Sequence, residues 1–174
     1  MDRVDEIISA TRWDAERRDV DWDDIEEQFG TQLPADYKEL CEAFRHGAFS
    51  GYLELLPPNA IDSYGLLGRW KSQRRRWESG QLSALFDPYE VFDSGGRGLI
   101  LWGNSLTEDQ YFWLADAATS PAQWPVVART DPLEDWHHFD ISTTEFIYRV
   151  LTDRDFRPFS VAGKVERPFF EVYE

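Results

Sequence analysis

Residues 20–44 encode two short helices joined by a tight corner, and both helices must bury one face against something else in the chain. Asp21 is placed to cap the first helix, with Val20 just before it and Ile25 at the fourth helical position, the pair that forms a hydrophobic staple. Trp22, Ile25 and Phe29 fall at i, i+3 and i+7, so one stripe is apolar and the acids face away. Gly30 suits the left-handed conformation that ends a helix. Pro34 falls in the first turn of the second helix, where no backbone donor is needed. Tyr37, Leu40, Cys41 and Phe44 then repeat the apolar pattern at i, i+3, i+4 and i+7.

Around this pair the chain reads as one domain spanning 1–174. Val4, Ile7 and Ile8 predict a short helix leading to Trp13. Residues 51–56 predict a strand closed by Pro57-Pro58-Asn59, since proline disrupts ladders. Ile61 to Leu67 carries no clear pattern, and 67–77 predicts a polar helix ending near Gly80. After the turn Ser94–Gly98, strands are expected at about 99–103, 110–115 and 125–129, with a short one at Trp136–Phe139. Ser142-x-x-Glu145 is a capping box, and its helix buries Phe146, Ile147, Val150 and Leu151. The last twenty residues read as an extended tail that docks or adds an edge strand. The short spacings favour antiparallel pairing. The expected fold is therefore α+β, a mainly antiparallel sheet of five to six strands. The N-terminal helices and the one after the main strands pack on one face.

The Trp-x-x-Ile-Glu helix, Gly30, and then Leu33-Pro34-Ala35-Asp36-Tyr37-Lys38 resemble the opening of the SUKH superfamily, which contains the fungal Smi/Knr cell-wall regulators and many bacterial immunity proteins. Gly51-Tyr52-Leu53-Glu54-Leu55-Leu56-Pro57 resembles the family's glycine-led strand, Gly98-Leu99-Ile100-Leu101-Trp102-Gly103 its central strand, and Asp109–Leu114 the next. Trp124-Pro125-Val126-Val127, Trp136, Phe139 and Ser142–Phe146 follow in family order, so the likeness covers about residues 20–152 and leaves 153–174 as an extension. Two departures touch turns: the glycines of Arg45–Gly51 are spread apart, and Glu108 precedes Asp109 where the family often has Gly-Asp. The resemblance implies a non-catalytic immunity protein that binds a cognate polymorphic toxin, often a nuclease. Its alternative is a regulatory scaffold of the Smi/Knr type with an endogenous partner.

Composition narrows the partner classes. The chain has 174 residues, 42% hydrophobic and 16% aromatic, which is a folding composition. Its net charge of −15, from 33 acids against 18 bases, opposes nucleic acid and anionic membranes and favours a basic protein. No apolar run reaches the roughly 20 residues of a membrane span, and the start lacks the pattern of a secretory signal. A single cysteine, Cys41, makes no internal disulfide, and a reduced cytoplasmic setting is expected.

Asp19, Asp21, Asp23, Asp24 and Glu27, beside Glu26 in the same run, form a solvated helix start whose acids complement the helix dipole and, compatibly with that, are the candidate acidic contacts for such a partner. A calcium loop counted from Asp19 fails, because position six is Asp24 and position twelve is Gly30. Arg69, Lys71, Arg74, Arg75 and Arg76 form a basic cluster covering Trp70 and Trp77; an intramolecular or dimer-interface ion-pair role, or simple solvation, is its expected use, with Arg74 and Arg75 as candidate partner contacts. Gly95-Gly96-Arg97-Gly98 precedes a strand rather than a helix, so a hairpin turn is expected instead of a phosphate cradle. His137 and His138 point to opposite faces of a strand and cannot chelate together. No serine stands in a nucleophile-elbow context, and no convergent polar set announces a small-ligand pocket. Neither metal nor cofactor is expected. Trp102, Trp113 and Trp124 are assigned to the core. Homodimerisation through an edge strand or the arginine helix is left open.

Overall fold

A computed structural model describes residues 1–60 and 62–174. Ile61, which begins the unpatterned stretch to Leu67, lies outside the described residues. The N-terminal helices are α1 (Arg3–Thr11), α2 (Trp22–Phe29) and α3 (Ala35–Ala43). Asp21 caps α2, accepting from the Asp24 amide, and Gly30 ends it at φ 74°. Pro34 stands at the N-cap of α3, one place ahead of its first turn. The buried faces are Ile25 and Phe29 in α2, and Tyr37, Leu40 and Cys41 in α3.

Next come β1 (Gly47–Phe49), β2 (Leu53–Leu55), α4 (Leu66–Glu78) and a single turn of helix, α5 (Ser83–Phe86). They are followed by β3 (Arg97–Ser105), β4 (Gln110–Asp116), β5 (Val126–Arg129), β6 (His137–Phe139), α6 (Thr143–Thr152) and β7 (Phe170–Val172). Among the described residues, seven strands form one sheet in the order β6-β5-β4-β3-β2-β1-β7, each neighbouring pair antiparallel. The α+β class stands, and the strand count is one above the expected upper figure. The extra strand is β1. The Tyr52 amide donates to the Phe49 carbonyl across Ser50 and Gly51, both at positive φ, so one expected strand becomes a hairpin. Three residues, Gly-Ala-Phe, are too few to show a period of two.

The N-terminal helices and α6 share one face of the sheet. Tyr37 of α3 meets Trp113 edge-on at 4.8 Å, and Phe146 of α6 lies 5.2 Å from Tyr111. Asp36 ties α3 to α6 by accepting from the Thr144 amide and hydroxyl, both at 2.9 Å. Phe112 points to the opposite face, because side chains alternate along a strand. That face is closed by Phe86 of α5 at 5.6 Å and by Trp136 at 5.5 Å. Sheltered on both sides, residues 98–103 and 111–115 are buried without interruption. Trp102, Trp113 and Trp124 are core residues, as expected.

The turn before β3 differs from the expected hairpin. Gly96 N donates to Asp93 O within it, but Val91 and Leu99 on its two sides are bridged in parallel. The C-terminal extension is part of the core: Phe156, Phe159 and Val161 are buried, and β7 pairs with β1. Among the described residues no helix is long and apolar enough to cross a membrane.

Candidate functional site

The candidate acids line α2 and the segment just before it. Asp19, Asp21, Asp23, Asp24 and Glu27 are all exposed. Asp21 accepts from the Asp24 amide at 3.2 Å, and Asp24 from Gln28 Nε2 at 3.0 Å. Among the described residues none of the five is held in an ion pair, whereas Glu6, Glu26 and Glu145 are. Glu26 is turned to another task. Lys38 Nζ lies 3.1 Å from it and the Leu33 amide donates to it at 2.6 Å, closing the corner between α2 and α3. The acids left over are free to meet an external cation.

Two of them, Asp21 and Asp24, border a cavity of about 480 Å³ between α2, α4 and the segment Pro58–Ala60. Asp21 and Asp24 stand on its acidic side, and Ile25, Leu67 and Ala60 supply apolar lining. Lys71 Nζ reaches from α4 to Gln28 Oε1 of α2 at 2.5 Å. An apolar wall beside unpaired carboxylates suits a lysine or arginine, whose methylene stem packs while its charged end meets the acids. Sequence reading found the acids, placed Lys71 only in the basic cluster, and missed Gln28 and the Pro58–Ala60 wall. Only the crossing of α2 with α4 brings these together.

The basic cluster of α4 splits. Lys71 turns toward α2; Arg74 lies over the Trp70 ring at 4.8 Å and pairs with Asp93 at 3.0 Å and Glu78 at 3.7 Å. Arg75 is exposed, and Arg69 and Arg76 turn to the far flank of the helix. No single cationic stripe results. Arg74 is thus an internal ion-pair residue, and of the two candidate arginines Arg75 alone faces solvent uncommitted. Trp70 is buried, with its indole donating to Phe92 O at 2.9 Å.

Other candidates have local roles. His137 packs edge-on against Phe159 at 5.3 Å, while His138 contacts Asp140 at 2.9 Å, so the two diverge. Among the described residues no three His, Cys, Asp or Glu side chains come close enough to hold a metal. Burial pushes the Cys41 thiol up to about 12. Asp109, inside the β3–β4 turn, accepts from the hydroxyls of Tyr52 and Tyr111. Burial raises its pKa, partly countered by those donors. Glu108 beside it holds φ 72°, a left-handed conformation that glycine adopts freely.

No family model, curated protein or solved structure matches this chain.

Proposed function

We propose that this protein is a non-catalytic binding protein that docks a basic protein against the acid-bordered groove between α2 and α4. The observation that carries the reading is the set of unpaired, exposed acids, two of which stand over a cavity with apolar walls. The net charge of −15 adds attraction at long range and speeds encounter with a cationic partner. The SUKH resemblance supports the choice of partner: a cognate toxin, neutralised in the cytoplasm by an immunity protein. A nuclease carries a cationic substrate surface, and carboxylates in place of phosphates would occupy it. Inhibition then needs no chemistry, only occlusion.

The test is co-expression with the product of the neighbouring gene, followed by co-purification. Protection from toxicity, lost on reversing Asp23, Asp24 and Glu27 to lysine, is the expected result. Because rim charges act mainly on encounter, the association rate at low salt should fall by about tenfold or more. Unchanged association would assign these acids to solvation alone. Failure to protect, with an endogenous partner captured instead, would favour the Smi/Knr-type scaffold.

A further inference from the structure

On the flank of α4 away from the acidic groove, a second cavity of about 420 Å³ lies between α4, α5 and the ends of β4 and β5. Arg69, Arg76 and Arg129 line it with Gln73 and Gln110, and no carboxylate lines it among the described residues. For a chain with 33 acids against 18 bases, three converging arginines reverse the prevailing charge.

Arg129 anchors the site. It is 2% exposed, at the end of a strand whose other residues are all buried and apolar. Its Nε donates to Gln110 Oε1 at 2.8 Å and its Nη1 to Leu85 O at 2.5 Å, while the guanidinium lies 4.0 Å from the Trp136 ring centre. Gln110 and Arg129 are cross-strand partners, which fixes the fork in place. Among the described residues, Nη2 makes no hydrogen bond and no acid pairs with this arginine. Asp131 raises its pKa only through space, its carboxylate accepting from the Leu133 amide at 2.9 Å. Burial draws the guanidinium down to about 10, so it remains charged at neutral pH. Arginine this deep is ordinarily paired, because an uncompensated buried charge is costly. A second, independent sign is Gln73, 7% exposed, whose Oε1 has no hydrogen-bond partner. Buried polar atoms without partners are rare, and one lining a cavity is consistent with a bound group there.

We propose that this cavity binds a small phosphorylated molecule, its phosphoryl group seated on the free edge of Arg129 with Arg69 and Arg76 closing over it. Arg129 Nη2, the donor left free, and the guanidinium groups of Arg69 and Arg76 supply charge-assisted hydrogen bonds to phosphate oxygens, and a dianion offsets the clustered positive charge. Gln73 presents its amide nitrogen to donate to a ligand oxygen, or its oxygen once the amide is turned. The volume exceeds that of a phosphate and lies within the range of small-molecule sites, leaving room for an organic part beside Leu82 and Phe86. The site is separate from the groove and stands or falls independently of the docking reading.

The experiment titrates the full chain with inorganic phosphate, phenyl phosphate, benzoate and phenol, following the arginine Nε–H signals by NMR. Both phosphates should shift the Arg129 signal, phenyl phosphate binding the more tightly, and phenol should not bind. Arg69→Gln and Arg76→Gln stand at the cavity's outer side, so the fold should survive, as checked by circular dichroism. Each should weaken phenyl phosphate by about tenfold, the loss of roughly one charge-assisted hydrogen bond. Arg129→Met should abolish phenyl phosphate binding as read by calorimetry, its fold checked by circular dichroism. An Arg129 signal unmoved by either phosphate, or binding unaltered in the Arg69 and Arg76 variants, would overturn the proposal. Benzoate binding as tightly as phenyl phosphate would overturn the assignment to phosphate.

Discussion

Replacing Gly47 by alanine should undock the C-terminal strand while leaving the rest of the fold in place. A Cβ at this position would lie 2.1 Å from the Glu171 carbonyl oxygen and 2.9 Å from Phe170 Cζ. The oxygen belongs to the backbone of β7, so the strand as a whole must move. Besides the antiparallel ladder to β1, three flanking hydrogen bonds hold it: Ser50 N to Phe169 O at 2.7 Å, Tyr173 N to His46 O at 3.0 Å, and Tyr173 Oη to Glu54 Oε1 at 2.6 Å. At about 1 kcal/mol net each they contribute about 3 kcal/mol. Phe170, 4.9 Å from the rings of Trp13, Phe44 and Phe49, adds about 2 kcal/mol. The ladder bonds of the Ala48–Glu171 pair add to this. Ordering four residues costs about 4–6 kcal/mol, so the strand is held by a few kcal/mol at most. Displacing its backbone at Glu171 forfeits ladder and flanking bonds together. Hydrogen exchange is the assay. Ser50 and Tyr173 amides should lose their protection in Gly47→Ala, while amides in β3 and β4 keep theirs. With the β1 edge uncovered, the variant should also self-associate with rising concentration. Wild-type protection at Ser50 and Tyr173 would refute the close-approach argument.

Three further outcomes are expected. Glu108→Gly should stabilise the protein by about 1 kcal/mol in urea unfolding, because glycine adopts the φ of 72° without the penalty a side chain incurs; a loss of stability would show that the Glu108 side chain matters more than its backbone. Burial opposes ionisation of Glu145, but Arg149 and Arg3 outweigh it and hold the carboxyl below its ordinary pKa. A depressed acid stabilises the fold above its unfolded pKa of about 4.3 and loses that contribution as pH falls through the folded value. Wild-type should therefore lose its stability advantage over Glu145→Gln on acidification from about pH 5, measured by thermal melts, and a constant gap would sink the assignment. Cys41, buried and with its thiol pushed up to about 12, should be alkylated by iodoacetamide at least about a thousandfold more slowly in the native protein than in urea. Rapid native labelling would contradict its place in the core.

Much of the frame was legible because it is encoded within a few residues. Asp21, Ile25 and Gly30 set the limits of α2 through contacts no further than one or two turns away, and the same holds for Ser142 at the start of α6. The strands flanking residues 106–109 announced themselves by aromatic and branched runs. β1 did not, since its identity rests on partners at Leu53–Glu54 and Phe170–Val172 that no local pattern reveals. The capping box was half right: Ser142 accepts from Glu145 N, but the Glu145 side chain bonds to Arg3 and Arg149.

For the functional residues the division is sharper. The amino-acid sequence alone determined the caps, the core-facing stripes, the acidic run and the α+β class, all properties of composition and short-range spacing. Tertiary structure decided which charges stay free. It spent Glu26 on Lys38 and Arg74 on Asp93, left Asp23 and Glu27 to solvent, and brought Arg129 to line one cavity with Gln73 across more than fifty residues of chain. Ion pairing and burial depend on distances between segments remote in sequence, and those distances exist only once the sheet has set its register and the helices have crossed.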